Sequence, residues 1–139
     1  MKIGVPTEPE GETRVAIVPT SMKKLLKAGF EVVVENGAGV AANYSDKEYT
    51  ESGATIADRE VVMECDIIIS IRLPDISELS KGQIVACVSD PFRHPDRIKA
   101  CIDGGITLMS MDMIPRRLSR AQSMDVNSSQ DNLAGYKAV

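Results

Sequence analysis

Arg116, Arg117 and Arg120 crowd together with Gln122, Asp125 and the hydroxyls of Ser119, Ser123, Ser128 and Ser129 between residues 115 and 137. Guanidinium groups offer rigid forks of donors for carboxylates, phosphates or carbonyls. A glutamine amide donates and accepts at once, and an ionised aspartate only accepts. A stretch this polar is not core, so late in a compact chain it is expected to face a ligand or a partner. The plainer alternative is a solvated segment that starts a helix, with Ser119 or Ser123 as N-cap and the charges simply exposed. Asp125 lies three residues after Gln122 and three before Ser128, so on a helix or turn the three share a face.

The rest of the chain bounds what such a segment can serve. At 139 residues it is one domain's worth of sequence, and 43% apolar with 26% charged residues describes an ordinary globular composition. A formal net charge of −4 argues against nucleic acid or an anionic membrane surface as the main partner. No apolar run approaches the roughly 18 residues of a membrane span, and the opening Met1-Lys-Ile-Gly-Val-Pro6 lacks a signal-peptide layout. Cys65, Cys87 and Cys101 have no metal-ligand spacing and sit in or beside apolar runs, which predicts buried thiols, a reducing cytoplasm and no metal site.

Short β-rich runs alternate with helical patterns. Lys2–Val5, Glu31–Glu35, Ala54–Ala57, Asp66–Ile71, Gln83–Val88 and Ile106–Ser110 read as strands, several of them apolar on both faces. Two-sided runs suit a parallel sheet covered by helices. Thr20–Ala28 reads as a helix with Thr20 or Ser21 as cap and Gly29 as its stop. Ser45 and Glu48 form a capping-box pattern for a helix ending at Gly53, and Pro95 opens another over Asp96–Asp103 that Gly104 closes. A last helix is expected from about Ser123 onward. The fold class is α/β, a Rossmann-like or flavodoxin-like, mostly parallel sheet with helices on both faces. Three methionines at alternate positions, Met109, Met111 and Met113, are expected to fill the core around the last strand.

Gly37-Ala-Gly39 follows a strand, with Asp58 about 20 residues later, which mimics a dinucleotide-binding fingerprint. The helix should then open inside the glycine loop. Here the cap signal waits until Ser45, so a glycine turn is the expected structure.

Arg120-Ala-Gln-Ser-Met-Asp125, then Ser128-Ser-Gln130 and Leu133-Ala-Gly-Tyr-Lys-Ala-Val139, resembles the alanine dehydrogenase/transhydrogenase family, and within it the proton-translocating transhydrogenase branch. Ile3-Gly-Val-Pro6, Glu12-Thr-Arg-Val-Ala16, Glu35-Asn-Gly-Ala-Gly39 and Ser52-Gly-Ala-Thr-Ile56 are similar to the family in the same order, so the resemblance covers the whole chain. It implies an N-terminal α/β domain over residues 1–122. Residues 123–139 would begin a helix leading to an NAD-binding domain that carries the phosphate loop and lies outside this sequence.

Carried over by motif, the resemblance implies a catalytic and nicotinamide-binding set of Arg117, Gln122 and Asp125, with Ser128 as a further contact to cofactor. Gln122 would fix the carboxamide, and Asp125 would orient Arg117 or accept from a ribose hydroxyl. Arg116, a second arginine, departs from the family pattern. So do Asn127 and Asp131, which stand where the family has mostly an apolar and a small residue, putting the packing of the last helix in question. The implied activity is hydride transfer between NAD(H) and NADP(H) coupled to proton translocation. The implied partners are an NADP(H)-binding component, a membrane component and a second copy in a dimer, cytoplasmic and peripheral to the inner membrane. The isolated chain is expected to be inactive.

An alanine dehydrogenase fragment is the alternative. In that branch the residue matching Arg14 holds the substrate carboxylate, and Arg72 stands where a substrate-binding lysine would be. Deamination also needs a general acid/base. The branch has a histidine where this chain reads Ser89-Asp-Pro91, and His94, between prolines, is expected to be exposed and inert. A docking module without catalysis is the third possibility.

Overall fold

A computed structural model describes residues 1–138, so the expected helix end at Val139 lies outside the described residues. Six strands form one sheet: β1 (Lys2–Val5), β2 (Glu31–Glu35), β3 (Thr55–Ala57), β4 (Ile67–Arg72), β5 (Ile84–Val88) and β6 (Thr107–Ser110). Each lies within one residue of its expected bounds. All five pairings are parallel, in the order β3-β2-β1-β4-β5-β6. That is the Rossmann order, and it settles the choice against the flavodoxin order. The chain winds outward one way from β1 through β3, then restarts on the other side of β1 at β4.

The connecting helices are α1 (Met22–Lys27), α2 (Asp46–Glu51), α3 (Arg59–Met63) and α4 (Pro95–Asp103), and α5 (Val126–Ala138) follows the sheet. Neither Thr20 nor Ser21 caps α1 through its side chain; the chain enters through a 3-10 turn at Pro19–Ser21, where proline presets the backbone. The Ser45–Glu48 capping box is present with both its bonds. Helix α3 had no expectation: at five residues it is too short to show a period, and its Asp58 cap makes no side-chain bond.

Helices cover both faces, but unequally. On one face Ile3, Val5, Val32 and Val34 pack with Met22, Ile17 and Tyr49. On the other, Val33, Ile68, Val85 and Cys87 pack with Val62, Met63 and Cys101. Gly4 lets α3 lie directly on β1, since a Cβ there would collide with the Val62 carbonyl. Over β4–β6 the first face has no comparable helical layer among the described residues: Ile67, Ile69, Ile84 and Ala86 are half-buried, and Met109 is 55% exposed. Met113 is exposed as well, so the alternating methionines do not fill the core as expected. All three cysteines are free and buried.

The Gly37–Gly39 segment forms the expected turn. It leads into a 3-10 turn at Val40–Ala42, and the Gly37 N–H donates to Asp46 Oδ1 (3.0 Å). A Cβ on Gly39 would lie 2.6 Å from the Tyr49 ring and 2.8 Å from the Tyr44 carbonyl. Tyr49 is fully buried, with its hydroxyl donating to the Ile17 carbonyl (2.8 Å), so it cannot yield. Gly39→Ala is therefore expected to cost about 2 kcal/mol by overpacking. Urea unfolding checks this, and an unchanged midpoint would refute the role given to the glycine.

Candidate functional site

Doubly wound sheets bind ligands where the winding reverses, at the carboxyl ends of the strands. Here that point lies between β1 and β4. These strands pair only at Ile3↔Ile67 and Gly4↔Ile68, while β4 against β5 carries an irregularity between Ile69 and Arg72. Glu8, on the loop after β1, fills the opening. Its carboxylate accepts from the backbone N–H of Ile71 (2.5 Å) and of Arg72 (3.0 Å). Burial pushes the Glu8 carboxyl above its usual range despite both bonds.

Beside it, Glu12 joins Arg14 of the loop after β1 to Arg72 at the end of β4. Arg14 donates to both Glu12 oxygens (2.7 and 2.5 Å), and Arg72 Nε donates to Oε2 (3.2 Å). Arg14 Nη1 then reaches Gln130 Oε1 on α5 (3.0 Å). Arg14, Arg72 and Gln130 border a crevice of about 710 Å³, whose apolar wall includes Val15, Val18, Ile71, Val88, Val126 and Leu133. The resemblance singles out Arg14 and Arg72 as matches to the substrate-facing positions of the alternative branch. The structure brings them together, with a carboxylate of the chain already between them. Glu12 was visible in Glu12-Thr-Arg14, yet nothing in its spacing told a buttress from a surface acid.

The polar segment leads directly into the crevice-lining end of α5. Residues Gln122–Met124 form a 3-10 turn, and the chain bends at Asp125 before α5 begins at Val126, later than the expected start near Ser123. The first turn of α5 is held by Asp125, not by Ser119 or Ser123. Its carboxylate accepts from the Ser128 N–H (3.0 Å) and hydroxyl (2.5 Å), which hold it below the usual aspartate range. The ion partner of Asp125 is Arg116 (3.8 Å) rather than Arg117, and Arg116 also approaches Asp131 (3.8 Å). Asp125 and Ser128 are thus brought together, while Arg117 and Gln122 are exposed and neither is drawn to that pair.

Asp112, which carried no sequence signal, anchors the root of this segment. Its carboxylate accepts from the N–H of Ser89 (3.2 Å) and of Asp90 (2.9 Å) and from the Ser110 hydroxyl (2.6 Å). Burial works against ionisation there, but the three bonds outweigh it and hold the carboxyl low. At Ser89 and Asp90, where the resemblance to the alternative branch implied a histidine, the backbone N–H groups donate to Asp112. His94 is exposed at the start of α4. Among the described residues no His, Cys, Asp and Glu cluster could hold a metal, and no helix is long and apolar enough to cross a membrane.

A Rossmann-order sheet with a crevice at the carboxyl ends of its strands places the chain in the doubly wound α/β class. Residues 4–134 match the family model described as alanine dehydrogenase/PNT, N-terminal domain, and the chain belongs to that family. It is 40% identical across its whole length to the first part of NAD(P) transhydrogenase subunit alpha from Rhodospirillum rubrum, covering 39% of that relative. It is 38% identical over 76% of its length to alanine dehydrogenase 1 of Staphylococcus aureus, covering 29% of it. The crystal structure of transhydrogenase from Sinorhizobium meliloti superposes on 99% of the chain with a TM-score of 0.94 at 39% identity, over 42% of its own length. The chain thus spans about two fifths of these two transhydrogenase relatives.

The Glu12 carboxyl is lowered to about 2 from 4.5, chiefly by its hydrogen bonds to the Arg14 side chain. A folded-state value below the unfolded one adds stability that is complete above pH 4.5 and disappears as the pH falls toward 2. Glu12→Gln is therefore expected to flatten the loss of stability across that window. Unfolding measured as a function of pH tests this, and an equally steep acid loss in the variant would contradict it.

Proposed function

We propose that the chain is the N-terminal domain, residues 1–122 with the following helix, of an NAD(H)-binding transhydrogenase component. The observation that carries this reading is the run of the largely exposed Arg117–Asp125 segment into α5, a helix that lines the crevice at the winding reversal. The whole-chain likeness to transhydrogenase alpha subunits supports it. The complete protein would pass hydride, one proton with two electrons, from NADH to the nicotinamide of NADP on a partner component. A membrane component would couple this transfer to proton translocation, with the nucleotide-binding part peripheral to the membrane and paired as a dimer.

The residues present fit one end of the cofactor. Hydride transfer needs alignment of two rings and no proton donor at the reacting carbons. Gln122 would pair with the nicotinamide carboxamide, donating and accepting together. Arg117 would offer its fork to the carboxamide oxygen or a phosphate, and Asp125 with Ser128 would receive a ribose hydroxyl. The phosphate end does not fit. The loop after β1 reads Pro6-Thr-Glu-Pro9; its one glycine turn, at Glu10-Gly11, opens no helix, and its Glu8 carboxylate is directed at the backbone donors of Ile71 and Arg72. The phosphates would be held by a separate domain.

An alanine dehydrogenase reading draws on the convergence of Arg14 and Arg72. It lacks the general acid/base, because Ser89 and Asp90 occupy that place and serve Asp112. Ammonia released from L-alanine with NAD by the intact protein would favour it.

Two measurements test the transhydrogenase reading. Calorimetry of the isolated chain with NADH is expected to give weak or no binding, and micromolar affinity would overturn the claim that the phosphate site lies elsewhere. In the complete protein, Arg117→Ala or Gln122→Ala is expected to slow hydride transfer on the order of 100-fold. Unchanged transfer would favour a docking module instead.

A further inference from the structure

Asp112 and Asn127 stand 15 residues apart, and together they close the polar segment into a loop. At its root the Asp112 carboxylate takes two N–H bonds from the end of β5 and one hydroxyl bond from the end of β6. The Ser89 and Ser110 hydroxyls also meet each other (2.6 Å), so the two strand ends are tied side by side. Asp90 holds the left-handed conformation (φ 45°), a strained state for a residue with a side chain. Its N–H bond to Asp112 compensates that strain. At the far end of the loop Asn127 Nδ2 donates to the Asp112 backbone carbonyl (3.3 Å). One residue therefore grips the loop at both ends, and Arg117, Gln122 and Asp125 all lie between.

We propose that Asp112 is a positioning residue for the nicotinamide-facing loop, its carboxylate fixing the root to β5 and its carbonyl, through Asn127, fixing the start of α5. The proposal rests on the transhydrogenase reading above. Little of the loop is packed: residues Pro115–Arg120 are all exposed, Ala121 is its one buried side chain, and no residue of α5 is buried, so polar bonds have to order it. Ion pairs as open as Arg116 with Asp131 contribute little order of their own.

Asp112→Asn preserves size but cannot accept from both backbone donors without turning its own amide toward one of them. In the isolated chain, backbone amide relaxation at Gln122, Asp125 and Ser128 is expected to report increased motion, while amides of β1 and β4 are unchanged. In the complete protein the variant is expected to lower kcat for hydride transfer about 10- to 100-fold at an unchanged KM for NADH, the mark of misalignment rather than lost binding. Asn127→Ala leaves the carboxylate cradle intact and is expected to shift both readings the same way, which keeps the test open if Asp112→Asn fails to fold.

Loop amides that stay as ordered as in the parent chain, or that loosen together with the whole sheet, would overturn the proposal. A kcat lowered by Arg117→Ala and Gln122→Ala but not by the Asp112 or Asn127 variants would overturn it and leave the transhydrogenase reading standing. If Arg117→Ala and Gln122→Ala also leave kcat unchanged, the reading itself falls and the proposal with it.

Discussion

Strands β1 and β4 part after two paired residues, and the rest of the site follows from how the chain fills that gap. A parting at the winding reversal exposes backbone N–H groups that would otherwise bond across the ladder. Left bare in a half-buried place, each would cost about as much as a lost hydrogen bond. Glu8 supplies the acceptors from the neighbouring loop, and so fixes the end of β4 at Ile71 and Arg72. With Arg72 fixed, Glu12 can sit between it and Arg14, and Arg14 can reach α5 at Gln130. The placement of the last helix is thus tied to the first loop through a chain of charge-assisted bonds.

The same arrangement separates this sheet from a dinucleotide-binding sheet of equal strand order. There, a glycine turn after the first strand brings bare backbone donors against a pyrophosphate. Here the loop carries Glu8, Glu10 and Glu12, and the donors at the end of β4 are taken. At the end of β2, Glu35 accepts from the Thr7 N–H (2.8 Å) and pairs with Arg59 (3.0 Å), which also pairs with Glu78 (2.7 Å). A phosphate entering this edge would meet carboxylates whose bonds are already made. On the α5 side a crevice with an apolar wall stays open, bordered by Arg14 and Arg72.

The sheet was legible because two-sided apolar strands and glycine stops are local signals. The capping box at Ser45 and Glu48 was legible for the same reason: both its bonds are made within four residues. Helix α3 was not, because five residues carry no period and its placement comes from Gly4, which only the fold brings beneath it. The strand order was equally hidden, since either doubly wound order produces the same alternation along the chain. In the site, Arg14 and Arg72 could be picked out as cations, but their shared partner could not. Asp112 had no signal at all, since its role depends on two strand ends that meet only in the folded sheet.

The departures from the family pattern acquire a reason in the same way. From the sequence, Asn127 and Asp131 put the packing of the last helix in question, and Arg116 stood apart as a second arginine. In the structure Arg116 faces Asp125 and Asp131, and Asn127 bonds to Asp112. An apolar residue at position 127 would hold α5 by contact with the crevice wall; asparagine holds it by a bond to the root of the loop. With no residue of α5 buried and Val126, at the crevice wall, its one half-buried apolar residue, the hydrophobic effect fixes its position weakly. Directional polar contacts then have to set its angle, those of Arg116, Asn127 and Asp131 among them. Their value lies in orientation more than in stability, because open ion pairs stabilise weakly while a hydrogen bond still fixes a direction.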